Sequence, residues 1–572
     1  MSAMRSQMGD AQMSDEQKEA RDERFKRMTA VLIALVTLFA AIVAYLQSDA
    51  GNRDDQANRD NKRYALEALG RQVSGDARVN YDYNTAYQSW QELDLLATSA
   101  ENRGDEKAAA RYSELRDSMV TLSPMLAAPY FDAEKGNVDI ARYEADTYLV
   151  EITSLQERFL ASSLVKDAWD GKANTYIVHL TLLAVSLFLF GMSVMVSGSA
   201  TRWIFATTGI GITLVAVIWA VSTFMQPVVD LRAQGTAIDQ FAQGVGLTHQ
   251  EKWQEAISAF DQALAASPNY GRAFAERAGA QSSLGNYEAA AADYEKARAN
   301  GEDSANVAGE LAWVYHLLGR FDDAVAMNRT ALGVSPDELW IQYDLGLSLL
   351  ASGKVDEAKA EYTKGMNLAA KQVADAKAAG AEPPSYLWWG LDDAANGLDD
   401  LIFALDGGDT TPAKDKIVNP EAVAPAAQEL VAQIKSLSVA LEYHGAPPTN
   451  SLTAQISPFL IAEPVYNDKG EVSDYSEVES VPFGTQEVAI LFDFAQMKNG
   501  QEVVFKVYVD GEEDPSWRVI APWEAGEAGT FEQPLSLAYS DNFVLAAGDY
   551  VVEMYVDSQL AQRGYFSVLT EE

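Results

Sequence analysis

Residues 253–297 read WQEAISAFDQALAASPNYGRAFAERAGAQSSLGNYEAAAADYEKA, and they begin a pattern that returns every 34 residues. An alanine holds the same place in four successive units: Ala256, Ala290, Ala324 and Ala358. An apolar residue lies three positions before each alanine: Trp253, Tyr287, Phe321 and Val355. A fixed period of this size is typical of helical hairpins that stack into a solenoid.

The spacing inside one unit predicts a pair of packed helices. Ala256, Phe260 and Ala263 follow one another at i, i+4 and i+7, which places them on one helix face. Glycines lie five residues before three of the repeat alanines: Gly285, Gly319 and Gly353. A left-handed C-cap is cheapest for glycine, so the first helix of each unit is predicted to end there. Each unit is therefore helix, turn, helix, and it needs its neighbour to cover its other face.

These residues and spacings resemble the tetratricopeptide repeat family. The resemblance covers 235–370, with three well-matched units at 271–302, 305–336 and 339–370 and a weaker first unit near 237–268. It implies a helical solenoid whose first helices line a concave groove. It also implies a binding scaffold and not a catalyst.

Carrying the family's register over to this chain predicts which side chains face that groove. We predict that a protein or peptide partner contacts six of them: Arg272, Asn306, Trp313, His316, Trp340 and Tyr343. The alternative for Trp313 and Tyr343 is packing against adjacent repeats. Chaperone-binding members of the family hold acidic C-termini with a basic clamp. Ala275 and Gly279 take inward positions here, so a chaperone tail is not the expected ligand.

Composition limits the partners and the chemistry. The chain has 572 residues and a formal net charge of −40, which argues against nucleic acid as a partner because phosphates would be repelled. It has no cysteine and only four scattered histidines, so no metal-ligand set is recognisable. No catalytic or phosphate-binding motif stands out either. We therefore expect no enzymatic activity, no metal and no cofactor.

Three apolar stretches predict membrane helices, at 28–46, 176–196 and 203–224. The first approaches, and the other two reach, the ~20 residues that a helix needs to cross a bilayer. The first exceeds the ~7–15 residues of a signal-peptide core, which favours an uncleaved anchor. The other two form a tight hairpin within 175–225. A polar tail, 1–27, precedes the first stretch, and a helical soluble domain, 47–174, follows it.

The orientation follows from basic residues in the short flanks. The N-terminal tail carries a basic cluster and the hairpin turn carries Arg202, so both are predicted to lie in the cytoplasm. The large soluble regions are then extracytoplasmic in a multi-pass protein of the cell (inner) membrane. Basic residues just beyond the first stretch argue the other way: Arg53, Arg59, Lys62 and Arg63.

Beyond the repeats the pattern changes from helical to alternating. Capping helices and a linker are predicted over 371–443, including a linker at 406–425 and a helix at 428–443. From 451 to 572 the alternation predicts an all-β sandwich, with strands at 487–494, 502–509, 530–537, 550–556 and 565–569. This region loosely resembles the immunoglobulin-like sandwiches of bacterial surface proteins.

The predicted fold class is thus multidomain and mainly α: three transmembrane helices, a tetratricopeptide-type solenoid and a C-terminal β-sandwich. The predicted function is a membrane-anchored adaptor or scaffold that binds a protein or peptide in the solenoid groove. Two alternatives stay open. One is a structural or sensory membrane protein that transmits partner binding through the hairpin. The other is a surface-bound carbohydrate- or protein-binding module. Homo-oligomer formation is also left open.

Overall fold

A computed structural model describes residues 15–133, 135–408, 413–448, 451–467, 472–478, 480–536 and 544–570. Most of the polar tail predicted at 1–27 lies outside these residues. The chain divides into two compact units, Met1–Leu284 and Gly285–Glu572. The boundary falls inside the repeat region, at the turn that contains Gly285.

The first unit is built on long helices. Its elements before the repeats are α1 (Asp15–Tyr81), α2 (Gln88–Asn102), α3 (Glu106–Met119), the strand pair β1 (Phe131–Asp132) and β2 (Asn137–Val138), α4 (Ile140–Glu144), α5 (Val150–Met195) and α6 (Ser199–Met225). Helix α1 continues far beyond its apolar stretch because no proline interrupts it. It packs antiparallel to α5, with Val36 and Val43 sharing a core with Leu183 and Phe190.

Three helical segments of the first unit have the length and composition to cross a bilayer: Glu19–Asn102, Ile140–Met195 and Ser199–Met225.

Aromatic residues form a small core beyond the C-terminal end of α1. Tyr87 and Trp90 are buried there, and the Tyr143 hydroxyl donates to Asp82 Oδ2 at 2.5 Å. Tyr81, by contrast, is exposed.

The first repeat helices follow in the same unit: α7 (Gly235–His249), α8 (Trp253–Ala266) and α9 (Gly271–Ser283). Phe260 fills the space between α7 and α8, because a Cβ at Gly244 would lie only 2.4 Å from its ring. The repeat also packs on α5, where buried Glu157 accepts a hydrogen bond from the Tyr270 hydroxyl at 2.6 Å. Arg158 of α5 pairs with Asp239 of α7 at 2.8 Å.

The second unit continues the helical hairpins. Its helices are α10 (Tyr287–Ala299), α11 (Ala305–Leu317), α12 (Phe321–Val334), α13 (Leu339–Ala351), α14 (Val355–Ala379), α15 (Ser385–Leu405) and α16 (Pro420–His444). All four repeat alanines of the chain are fully buried, as the spacing predicts. Gly285, Gly319 and Gly353 have φ values of +75°, +66° and +77°, which confirms the left-handed turn after each first helix. A tetratricopeptide-like helical solenoid is therefore the architecture of this region.

Helix α16 is longer than predicted. The sequence predicts a linker that extends to Pro425, but the helix begins at Pro420. A proline in the first turn costs nothing because the first amides of a helix have no intrahelical partner. Pro425 follows inside the helix without ending it. Residues 409–412 of the predicted linker lie outside the described residues.

Two sheets make up the C-terminal part of the second unit. One has the order β10 (Val519–Pro522), β8 (Glu502–Val509), β12 (Gly548–Val556), β13 (Gln559–Val568), β6 (Ser480–Val481), with β9 (Glu512–Glu513) paired to β8. The other has the order β11 (Ala528–Ser536), β7 (Glu487–Ala495), β4 (Leu460–Tyr466), β5 (Val472–Glu477), with β3 (Gln455–Ile456) paired to β7. Only the β13–β6 pairing is parallel among the described strands.

The two sheets contribute to one core. Phe492 of β7 and Phe505 of β8 lie with their ring centroids 6.3 Å apart. The strand predicted at 502–509 is confirmed as β8, whereas β4 and β5 were not predicted. Pro464 argues against a strand at this place in the sequence. In the structure this proline follows Leu460–Ala462, the segment of β4 that pairs with β7. Residue 537, the end of another predicted strand, is outside the described residues.

Candidate functional site

The candidate site is a set of side chains on α11, α13 and α15, the first helices of successive hairpins in the second unit. We call it the inner face and define it by Glu310, Trp313, Trp340, Asp344 and Asp393. All five side chains are exposed or half-buried. They combine two large indoles with three carboxylates.

The two tryptophans of the inner face sit in fixed positions. The Trp340 ring lies over Gly309 of α11, where an added Cβ would be 2.4 Å from it. Trp313 is one turn further along α11 and stacks on His316, with ring centroids 5.3 Å apart and planes 5° from parallel. Glycine at 309 thus lets an indole from the next repeat lie against α11, on the side that carries Trp313.

Two of the predicted groove residues are buried and cannot meet a partner in this conformation. His316 lies beneath Trp313, with Nδ1 3.1 Å from Ser348 Oγ. Burial lowers its pKa to about 4, so the ring is neutral at pH 7. Tyr343 packs on Tyr362 at 5.5 Å. The Tyr343 ring fills the space left by the absent side chain of Gly365. Tyr343 therefore packs against adjacent helices, which was the alternative to a place in the groove.

The other two predicted residues are Asn306 and Arg272. Asn306 is exposed in the first turn of α11. Arg272 belongs to the first unit, where its Nε is 3.2 Å from Glu157 Oε1. Since Glu157 is almost fully buried, the Arg272 guanidinium holds α9 to α5 in that unit.

The sequence interpretation missed the three acids of the inner face. Burial raises the pKa of Asp344 to about 8, and the nearby Glu310 and Asp393 carboxylates add to the shift. The Asp344 side chain is half-buried, and α11 and α15 each bring a carboxylate near it. A signal was present in the sequence, because Glu276, Glu310 and Asp344 are spaced by the 34-residue period.

The raised pKa of Asp344 predicts a pH-dependent gain from Asp344→Asn. The carboxyl is more easily ionised in the unfolded chain, where its pKa is near 3.8, than in the folded one, where it is about 8. Ionisation therefore destabilises the folded state progressively across that interval. The variant should melt at a higher temperature than the wild type at pH 8, and the difference should vanish near pH 4.

Thermal melts of the full-length protein, followed by circular dichroism at several pH values, test this expectation. Asp337→Asn is the matched control, because Asp337 is exposed just before α13 and should show no such pH-dependent gain. A lower melting temperature for Asp344→Asn at pH 8 would show that the ionised carboxylate is stabilising.

Parts of the chain are similar to solved structures. No protein-family model matches the sequence, and no curated protein matches it. The solved structures with similar regions include MamA 41-end from Desulfovibrio magneticus RS-1, at 20% identity over 24% of this chain and 78% of that chain, with a TM-score of 0.23. They also include YrrB, described as a TPR protein with an unusual peptide-binding site, at 15% identity over 35% and 93% of the two chains, with a TM-score of 0.24.

A third similar structure is PilW, described as a widely conserved type IV pilus biogenesis factor. It is 17% identical over 35% of this chain and 92% of that chain, with a TM-score of 0.22. At these values the function has to be inferred from the side chains of this chain itself.

Proposed function

We propose that this protein is a membrane-anchored adaptor that binds a partner protein on the inner face of its second unit. The observation that carries the proposal is the pair of half-buried indoles, Trp313 and Trp340, on the first helices of adjacent repeats. Large aromatic side chains held rigidly on a scaffold are the commonest binding hot spots. Helical repeats present such a surface without folding on binding.

The charge of the inner face supports a particular class of partner. Glu310, Asp344 and Asp393 approach one another closely enough to raise the pKa of Asp344, after the larger effect of its burial. A lysine or arginine side chain placed among them would favour the ionised form of Asp344 and lower its pKa. The proposed ligand is therefore a protein segment that offers both an apolar surface for the indoles and a positive charge for the carboxylates.

Anchoring in a membrane is the second part of the proposal. It is supported by the three apolar helical segments of the first unit and by the uncharged composition of 28–46, 176–196 and 203–224. The proposed topology has a cytoplasmic N-terminus and extracytoplasmic soluble regions in the cell (inner) membrane. We also propose that the two C-terminal sheets form a β-sandwich, because their inward side chains share one core.

Single cysteines test the topology, since the chain has none of its own. In intact spheroplasts, Glu512→Cys should react with a membrane-impermeant maleimide. Ser197→Cys, in the turn between α5 and α6, should react only after permeabilisation. Both residues are exposed, so access to the reagent is the variable that differs. The opposite labelling pattern would place the soluble regions in the cytoplasm.

The adaptor function is tested by capture from native membranes. The full-length chain, solubilised in detergent, serves as bait, and bound proteins are identified by mass spectrometry against a bait that carries Trp313→Ala and Trp340→Ala. The proposal expects at least one protein that is retained by the wild type and lost from the variant. Identical protein sets on both baits would contradict it.

A further inference from the structure

The second unit contains a large cleft that the inner face does not use. It has a volume of about 1550 Å³ and lies between α15, α16 and the sheet strands β8, β12 and β13. Pockets for drug-sized ligands are usually ~300–1,000 Å³. The size of this cleft therefore suits a chain segment better than a single small molecule.

The cations on the floor of the cleft are already neutralised. Glu553 of β12 is fully buried, and its Oε1 lies 2.8 Å from Lys435 Nζ and 3.1 Å from Arg563 Nε. Arg563 also donates two hydrogen bonds to the Asp399 carboxylate, at 2.8 and 2.9 Å. The Tyr555 hydroxyl donates to the other Glu553 oxygen at 2.5 Å. This network joins the sheet to α15 and α16.

A second ion-pair group closes the other end of the floor. Lys506 Nζ lies 2.8 Å from a Glu442 oxygen and 3.0 Å from a Glu513 oxygen. Arg518 contacts the same two carboxylates. Each lysine and arginine of the floor is therefore already paired with at least one carboxylate.

Two carboxylates in the cleft, by contrast, have no ion-pair partner among the described residues. Asp392 and Asp400 of α15 line the cleft, and neither forms an ion pair or a side-chain hydrogen bond with the described part of the chain. Partial burial raises the pKa of both carboxyls, although the nearby charges of Lys435 and Lys506 offset part of the rise at Asp392. Three further acids line the cleft and add negative charge: Glu382, Asp406 and Glu512. Lys377 is the cation without an ion pair among the described lining residues.

Aromatic side chains stand exposed in the same cleft. Trp389 and Phe403 of α15 are 68% and 54% exposed, and Tyr565 of β13 is 62% exposed. Aromatic rings attract the apolar stems of lysine and arginine, and their faces attract the cationic heads. On α15, rings and carboxylates lie along one helix, and together they are complementary to a basic side chain along its whole length.

We propose that this cleft is a second binding site and that it takes an extended, arginine- or lysine-bearing segment of a partner protein. Asp392 and Asp400 receive the cationic heads, and Trp389 and Phe403 receive the side-chain stems. The charge complementarity described above selects this occupant over an acidic or neutral segment. The site shares no residue with the inner face, so it does not depend on binding there.

The test measures binding of a fluorescein-labelled ten-residue peptide of alternating arginine and alanine. The full-length protein is held in nanodiscs of phosphatidylcholine, a lipid without net charge, and empty nanodiscs give the background. Fluorescence anisotropy is read at an ionic strength of about 0.15 M to screen the exposed charges. Asp392→Asn with Asp400→Asn should weaken binding about tenfold or more, because two charge-assisted contacts are lost. Trp389→Ala with Phe403→Ala should weaken it comparably.

Matched controls separate the cleft from the general negative charge. Asp337→Asn with Asp356→Asn removes the same charge from exposed positions outside the cleft, and Tyr386→Ala removes an exposed ring of α15 that does not line it. Both controls should bind like the wild type. An equal loss in the two charge variants would show unspecific attraction and overturn the proposal.

Two further outcomes decide between this site and others. Trp313→Ala with Trp340→Ala should leave binding of the arginine peptide unchanged; its loss there would place the peptide on the inner face and overturn the cleft proposal while supporting the proposed function. Competition by spermine as effective as that by unlabelled peptide would make the cleft a site for small amines, which also overturns the proposal. Circular dichroism confirms that each variant is folded.

Discussion

Replacing Trp313 and Trp340 together by alanine is expected to weaken binding of the captured partner on the order of a thousandfold. Truncation of an aromatic hot spot costs about 2 kcal/mol or more. Each 1.4 kcal/mol is a factor of ten in affinity. The two rings lie on the same side of α11, with Trp340 over Gly309 and Trp313 one turn away, so a single partner surface would lose both contacts.

The measurement is a titration of the captured partner against full-length wild type and variant. Tyr386→Ala with Val334→Ala is the matched control, because both side chains are exposed outside the inner face. Circular dichroism must show the native helix content. A folded double variant that binds with wild-type affinity would move the binding site away from the inner face. An unfolded one would identify the tryptophans as core residues.

The second large effect is expected from Glu553→Ala. Burial alone would raise the pKa of Glu553, but its ion pairs with Lys435 and Arg563 outweigh that effect and lower it. Removing the carboxylate leaves Lys435, whose side chain is only 12% exposed, without an ion pair among the described residues, and leaves Arg563, at 18% exposed, with Asp399 alone. Breaking a buried ion pair on one side typically costs about 3–5 kcal/mol. The stability of the sheet around β12 should fall by that amount.

Amide hydrogen exchange in β12 and β13 measures this loss of sheet stability in the full-length protein, because exchange reports the free energy of local opening. Glu524→Ala is the control, since Glu524 is exposed and has no ion pair with described residues. The pH dependence carries the same information. A carboxyl whose folded pKa is lowered stabilises the protein above its unfolded pKa, so the difference between wild type and variant should shrink as the pH falls below about 4. Unchanged exchange at neutral pH would contradict the prediction.

The sequence by itself determined the repeat architecture and its internal contacts. A period of 34 residues places Ala324 and Ala358 at equivalent points of successive hairpins, and both are fully buried. It also places Gly319 and Gly353 where the backbone turns left-handed. Such features are local: helix periodicity and the absence of a Cβ act within one or two turns, so they can be read from neighbouring residues. The strand at 502–509 follows for the same reason.

The tertiary structure alone decided which polar and aromatic side chains are accessible. His316 and Tyr343 are residue types that often bind ligands. Here, however, His316 packs against Ser348 and Tyr343 against Tyr362, each from another helix. The cleft is a stronger case, because α15 and β13 meet there through the pairing of Asp399 with Arg563. These residues are far apart in the chain, and no local pattern encodes their contact. Burial and charge pairing depend on such distant neighbours, which only the folded chain brings together.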